Sequence, residues 1–346
     1  MRNRGRSVHA VSLAVSHCTS ELQRGRKPQM RKFLPRAHTA RDETHRMTNL
    51  LLYLTTVLIW GTTWIALKLQ LGVVPIAWSI AYRFWLAAAV LMLWLTWSAW
   101  RKQTAFRLPP RDIWPHLLAQ GLCLFCLNFM CFLTASQWIA SGLVAVCFST
   151  APVWNALNGR LFLGKALSAR VLWGAGLGLA GLLLLFGGEV LKDLSRPQTL
   201  YGLGLALAGT YCFSLGNLLS GAMQKRGQTP VQTNAWAMTI GATVIAAWAL
   251  ASGQPLRFDT SAQYVGAWLY LAIPGSVIGF TAYLTLVGRM GADRAAYCTV
   301  LFPVVALNVS AVMEGYRWTL PALGGLGLVA LGNVVVFWRG QTPKTA

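Results

Sequence analysis

Repetition constrains this chain more than anything else. About ten apolar stretches follow one another from Asn49 to Trp338, and an ungapped shift of 151 residues lays the second half of them on the first. Each stretch approaches the roughly 20 residues that a membrane-spanning helix needs. Under the shift Phe129 meets Phe280, Leu133 meets Leu284, Thr134 meets Thr285, Cys147 meets Cys298 and Pro152 meets Pro303. Further along, Gly174 meets Gly325, Gly181 meets Gly332 and Phe186 meets Phe337. Apolar low complexity produces chance matches at Leu and Ala, but much less readily at Pro, Cys and Thr.

Runs bounded by charge, Pro or Gly predict helices near 49–71, 75–98, 112–135, 140–163 and 168–187, then 199–223, 231–252, 261–287, 293–314 and 319–338. A bilayer core offers the backbone no water, so spans of this length close their hydrogen bonds internally as helices. Strand-like alternation, the mark of a membrane barrel, is missing. The expected fold is therefore an all-α polytopic membrane protein with ten transmembrane helices. Five helices per half is an odd number, so the two halves cross the membrane in opposite senses and form two inverted five-helix repeats.

The expected organisation is a disordered basic tail (1–46), a first repeat (47–188), a second repeat (199–338) and a short cytoplasmic tail (339–346). Charged residues make up 11 % of the 346 positions and apolar types 55 %, a balance that leaves much apolar surface to face lipid. The formal charge of +21 does not argue for nucleic acid, because residues 1–46 alone hold 11 Lys or Arg against 3 acids. Met47 stands directly before the first apolar stretch, so a start of translation there, with a tail that is not native, is one reading. Several of the 16 Trp (Trp78, Trp97, Trp100, Trp114, Trp318, Trp338) fall near predicted helix ends, where an indole suits the headgroup layer.

With the N-terminus in the cytoplasm, inner loops and ends carry thirteen basic residues, from Arg101 to Lys344, against five outside: Lys68, Lys192, Arg196, Arg257 and Arg317. The positive-inside rule thus predicts that both termini are cytoplasmic. The cysteines show no metal-ligand spacing, and those within apolar runs read as small hydrophobes. Gly176, Gly178 and Gly181 spell G-x-G-x-x-G, but inside an apolar helix with no strand before it, so a dinucleotide loop is excluded. The glycine-rich fifth and tenth helices read instead as close-packing surfaces.

The segments IWGTTWIALK (Ile59 to Lys68), YRFWLAA (Tyr82 to Ala88), STAPVWNAL in the fourth helix and LFPVVALNVSAVMEGYRWT in the ninth resemble the EamA-type branch of the drug/metabolite transporter superfamily. The resemblance covers Leu50 to about Trp338. It implies two inverted EamA repeats around a central cavity, in exporters or exchangers of amino acids and other small metabolites. Such proteins often carry Glu after Leu-Gly at the end of the fourth helix; here that place is Lys165, while the ninth helix keeps Glu314.

A charge inside a span costs about 2.5–3.5 kcal/mol on insertion scales, so Arg83, some eight residues into the second helix, needs a role. One reading makes it a cavity group for an anionic substrate moiety or a partner of Glu314; the other makes it a snorkelling or structural cation. Lys68 and Glu314 end the first and ninth helices on the same side and could meet, as a gating or coupling pair; the other reading is a solvated helix-end acid. Trp60, Trp64, Asn128, Asn155, Tyr211, Asn217, Tyr283 and Tyr297 are the other substrate-binding candidates, suited to a small polar or zwitterionic solute with an apolar part; Asn158 and Asn308 belong to the same polar group. Pro152 and Pro303 each remove a backbone hydrogen bond at matching places, as either a broken-helix binding region or a tolerated kink. His116 reads as an interfacial residue.

No nucleophile triad, paired catalytic carboxylates or phosphate loop appears, so the sequence supports neither an enzyme nor a cofactor. The expected function is a secondary transporter that exports or exchanges small metabolites such as amino acids by alternating access. Its expected partners are a small-molecule solute and the lipid bilayer, with the bacterial inner membrane as its place. The alternative is a membrane receptor or scaffold without transport.

Overall fold

The computed structural model describes residues 40–103, 108–164, 197–295, 298–315 and 317–337, with scattered positions from 169 to 185. Its contacts divide the chain into two units, 1–50 and 51–346, and the candidate site lies wholly in the second. Every regular element among the described residues is helical. Six helices are long and apolar enough to cross a membrane: Met47–Leu69, Ile76–Arg101, Arg111–Ala135, Pro197–Lys225, Pro230–Ala251 and Ala262–Met290. They match the expected first, second, third, sixth, seventh and eighth segments. The fourth segment is split into Ser141–Phe148 and Ala151–Leu163, the ninth is described over Ala292–Ala295 and Cys298–Met313, on either side of two residues outside the described set, and the tenth is Leu320–Phe337. The first helix begins at Ala40, upstream of the expected boundary at Met47, so residues 40–46 are helical rather than part of a tail.

Local chemistry sets several of these boundaries. The seventh helix opens with Thr229, whose side chain accepts the backbone N–H of Gln232, and with Pro230 at its first position, where a missing N–H costs nothing. The eighth opens on Ser261, which accepts the N–H of Tyr264. The fourth segment breaks at Ser149–Thr150, just before Pro152, whose ring crowds the carbonyl one turn back at Phe148. Pro303 does not break the ninth helix, which runs unbroken from Cys298 to Met313. That corrects the expectation of matching interruptions. Pro303 is the sixth residue of that helix, where it forgoes the hydrogen bond to the Thr299 carbonyl without ending the helix.

The matching irregularity lies elsewhere. The third segment carries a π-helical stretch at Gly121–Leu127 and the eighth one at Leu271–Ile278, which coincide under the 151-residue shift to within one residue. Pro274 sits inside the second of them.

Repeat mates pack on one another. The second helix makes its most extensive contact with the seventh, and the fourth packs against the ninth. The fifth and tenth approach backbone to backbone: a methyl group added to Gly181 would lie 2.6 Å from the Gly325 carbonyl oxygen, and one on Gly332 would lie 2.6 Å from that of Gly174. The shift converts Gly174 into Gly325 and Gly181 into Gly332, so each contact is the repeat image of the other. Tight glycine packing was the expected role of these helices.

Large apolar side chains such as Leu93, Trp100, Leu161, Val312 and Leu320 point outward, as lipid-facing residues do. Trp78, expected among the interfacial tryptophans, is instead buried, with its indole N–H directed at the Gln254 carbonyl 3.4 Å away.

Candidate functional site

The first helix places Trp60, Thr63, Trp64 and Leu67 on one face, at the i, i+3, i+4, i+7 spacing of a helical stripe. This stripe forms one wall of a pocket that is partly open on one side. Arg83 of the second helix and Asn128, Phe129 and Phe132 of the third complete the first-repeat side, with Phe148 from the fourth segment. Phe213 of the sixth helix and Phe280 of the eighth close it from the second repeat. Both repeats therefore contribute to one pocket.

Its walls are mostly aromatic edges and faces. Trp60 lies 4.7 Å from Phe280 and 6.0 Å from Phe213 between ring centroids, and Trp64 lies 5.3 Å from both Phe132 and Phe148. Such spacings are those of favourable edge-to-face pairs. Phe129 and Phe280, repeat mates, face each other at 6.1 Å. Tyr283 backs the pocket, 5.1 Å from Trp60, and its hydroxyl accepts a 3.1 Å hydrogen bond from the Asn217 amide.

The π turn of the eighth helix supplies the polar side. Trp60 donates its indole N–H to the Gly275 carbonyl at 2.9 Å, and Arg83 donates through Nε to the Ser276 hydroxyl at 2.9 Å. Ser276 in turn donates to the carbonyl of Leu271, five residues back. A methyl on Gly275 would sit 3.2 Å from Thr63 and 3.6 Å from Arg83, so the bare glycine lets three segments converge there.

Arg83 is 2 % exposed. Its guanidinium lies 4.3 Å from the centre of the Phe129 ring and 4.9 Å from that of Phe84, both cation–π distances. Its Nη1 is buried and has no hydrogen-bond partner among the described residues. The expected alternative partner, Glu314, is committed elsewhere. Glu314 Oε1 lies 2.6 Å from Lys68 Nζ and accepts the Ser141 backbone N–H at 3.3 Å, while Oε2 accepts from both the Ser141 and Ser310 hydroxyls. This cluster ties the ends of the first, fourth and ninth segments together, one residue beyond Leu67 of the pocket wall. The Glu314 side chain is only 7 % exposed and that of Lys68 38 %, so the pair is more than a solvated helix end.

Of the residues singled out in the sequence, Trp60, Trp64, Arg83 and Asn128 meet in the pocket, where Asn128 donates to the Gly209 carbonyl at 2.8 Å. Asn155, Tyr211, Asn217 and Tyr283 do not line it. Asn155 is buried with both amide atoms unpartnered, Tyr211 packs on Trp154 at 5.3 Å, Asn158 donates to Ser214 at 2.9 Å, and Asn308 is exposed. Tyr297 and Lys165 lie outside the described residues. Sequence reasoning missed Thr63, the five phenylalanines and the Gly275–Ser276 turn. The stripe spacing on the first helix, the Phe129–Phe280 identity across the repeat and Pro274 inside an apolar run were the available signals.

Comparison with known proteins agrees with this architecture. The EamA-like transporter family matches twice, at residues 47–187 and 200–338. Protein PagO of Salmonella typhimurium is 24 % identical over 77 % of this chain and 85 % of its own. The inner membrane transporter YedA of Escherichia coli K12 is 27 % identical over 81 % of this chain and 87 % of its own. A transporter of Archaeoglobus fulgidus is 28 % identical over 75 % and 89 %. One crystal structure superposes with a TM-score of 0.62 at 19 % identity, covering 84 % of this chain and 98 % of that one, a likeness of fold. With two family repeats spanning almost all of its apolar sequence, the chain is an integral membrane protein that belongs to the EamA-like transporter family.

Proposed function

We propose that this protein is a secondary transporter that exports or exchanges small organic metabolites across the inner membrane by alternating access. In this reading ten spans form two inverted repeats, 47–188 and 199–338, with both termini in the cytoplasm. The observation that carries it is the aromatic pocket around Arg83, which draws walls from both repeats. A site shared between inverted halves can be opened to either face by rocking one half against the other.

Trp60, Trp64, Arg83 and Asn128 bind the solute. Asn155, Asn217, Tyr211, Tyr283 and Tyr297 support the walls or line the site once it opens. The Lys68–Glu314 cluster is the latch on the outer side: it must part for the first, fourth and ninth segments to separate there. An ion pair is a suitable latch because separating it exposes both charges to water, which repays much of the cost of breaking it. Pro152 supplies the flexible break in the fourth segment, and Pro303 marks the equivalent position of the ninth.

Flux in proteoliposomes tests the reading. Purified protein reconstituted with labelled organic acids, amino acids and amines should move at least one of them at a rate proportional to the protein present. Failure of every class to move, with the protein monodisperse and inserted, would exclude transport. For the latch, Glu314→Gln is expected to raise outward exposure several-fold, read as labelling of a cysteine placed at Thr63. Unchanged labelling, flux and pH dependence would remove Glu314 from the gate.

A further inference from the structure

Resting on the transport reading of this same pocket, we infer that its solute is an organic monoanion, a carboxylate or similar oxyacid on an aromatic or apolar body, without a compensating ammonium group.

The pocket is electrostatically incomplete. Arg83 is almost fully desolvated, yet among the described residues its only hydrogen bond is to the neutral Ser276 hydroxyl, and no acidic side chain is among the described lining residues. A buried cation without a counter-charge is unfavourable, and two aromatic faces offset that only in part. All nine acidic residues of the chain lie in the tail, in loops or at segment ends, so no span interior can supply the missing charge. Glu314, which meets the end of the first helix at Lys68, is held by Lys68 and two serines. The counter-charge is left to the solute.

The buried lining atoms left without a partner have the same polarity. Among the lining residues, two carry a buried polar atom without a partner, Arg83 Nη1 and Trp64 Nε1, and both atoms are donors. A group that only accepts satisfies them; an ammonium, which only donates, does not. Nor can an ammonium readily use the aromatic faces, since Arg83 already occupies Phe129 and would repel a second cation in the same small space. The rest of the pocket is Trp, Phe and Leu, which suits a flat or apolar body. An amino acid brings a carboxylate that fits and an ammonium that does not. The corresponding acid without its amino group fits at both ends.

Three probes that share a phenyl–two-carbon skeleton separate these cases: 3-phenylpropionate, phenylalanine and phenethylamine. Binding to the intact chain, read by ligand-dependent thermal stabilisation and by quenching of tryptophan fluorescence, should favour 3-phenylpropionate over phenylalanine at least tenfold, with phenethylamine inert. Arg83→Gln should abolish that preference, Arg83→Lys should keep part of it, and Trp64→Phe, which retains a ring but loses the N–H, should weaken 3-phenylpropionate several-fold. Because the preference is measured on the unaltered protein, it does not depend on any variant folding. Equal or tighter binding of phenylalanine or phenethylamine, or binding of none of the three, overturns the monoanion assignment, and the wider flux screen then decides transport separately. Selective binding of 3-phenylpropionate without flux would keep the anion site and overturn transport.

Discussion

At the scale of single residues, the site depends on what a few side chains do not contain. Gly279 packs directly under the Trp60 indole, and a methyl group there would collide with the ring nitrogen. Gly279→Ala should therefore push Trp60 into the pocket and cut flux at least tenfold while the protein still reaches the membrane. Flux normalised to reconstituted protein checks this; a normal rate would mean that Trp60 has room to retreat. Arg83, Trp60 and Trp64 were legible in the sequence because a charge or an indole deep in an apolar run demands a reason. The five phenylalanines were not, since an apolar ring in a membrane helix reads the same whether it meets lipid, a neighbour or a cavity. Asn155, Tyr211, Asn217 and Tyr283 looked alike in sequence to Asn128. What separates them is which way the helix turns them, and the apolar background that surrounds every span hides that orientation.

At the scale of elements, the places of six long helices followed from apolar length, whereas their internal irregularities did not. A π turn needs one extra residue per turn and leaves no compositional mark beyond Pro274, yet it sets Gly275 and Ser276 against Trp60 and Arg83. Pro274→Ala restores a backbone N–H and should allow a regular helix, so flux is expected to fall several-fold with thermal stability unchanged or raised. A parallel loss of both would mean that the proline serves folding instead. Pro152→Ala should likewise change turnover more than folding, read as flux against membrane expression, because the Ser149–Thr150 break is where the fourth segment bends. The glycines divide sharply. Gly181 meets the Gly325 carbonyl, whereas a methyl on Gly176 or Gly178 would meet nothing within 4 Å. Gly181→Ala is thus expected to destabilise by about 1–3 kcal/mol, the usual cost of overpacking, and Gly178→Ala to be neutral. Melting temperatures in detergent distinguish the two, and equal effects would remove the seam from the account.

At the scale of the whole molecule, duplication was the most legible property: the shift of 151 residues read from the sequence also relates the π turns, the second and seventh helices and the glycine contacts that the structure adds. The orientation in the membrane rests on loop charge, and impermeant maleimide on intact cells tests it. In a background without the native cysteines, Thr260→Cys should label from outside and Arg226→Cys only after permeabilisation. Both positions are exposed, so silence at either is informative, and the reverse pattern would turn the protein over.

The glycine seam carries one more consequence. Because each of its two contacts is the other's image, exchanging the roles of the halves returns the same pair of touching carbonyls and bare α-carbons. In the proposed cycle it would act as an axle that looks identical from either end, while the Lys68–Glu314 pair, whose repeat positions are Leu219 and Leu163, would make one end of the journey harder to leave than the other.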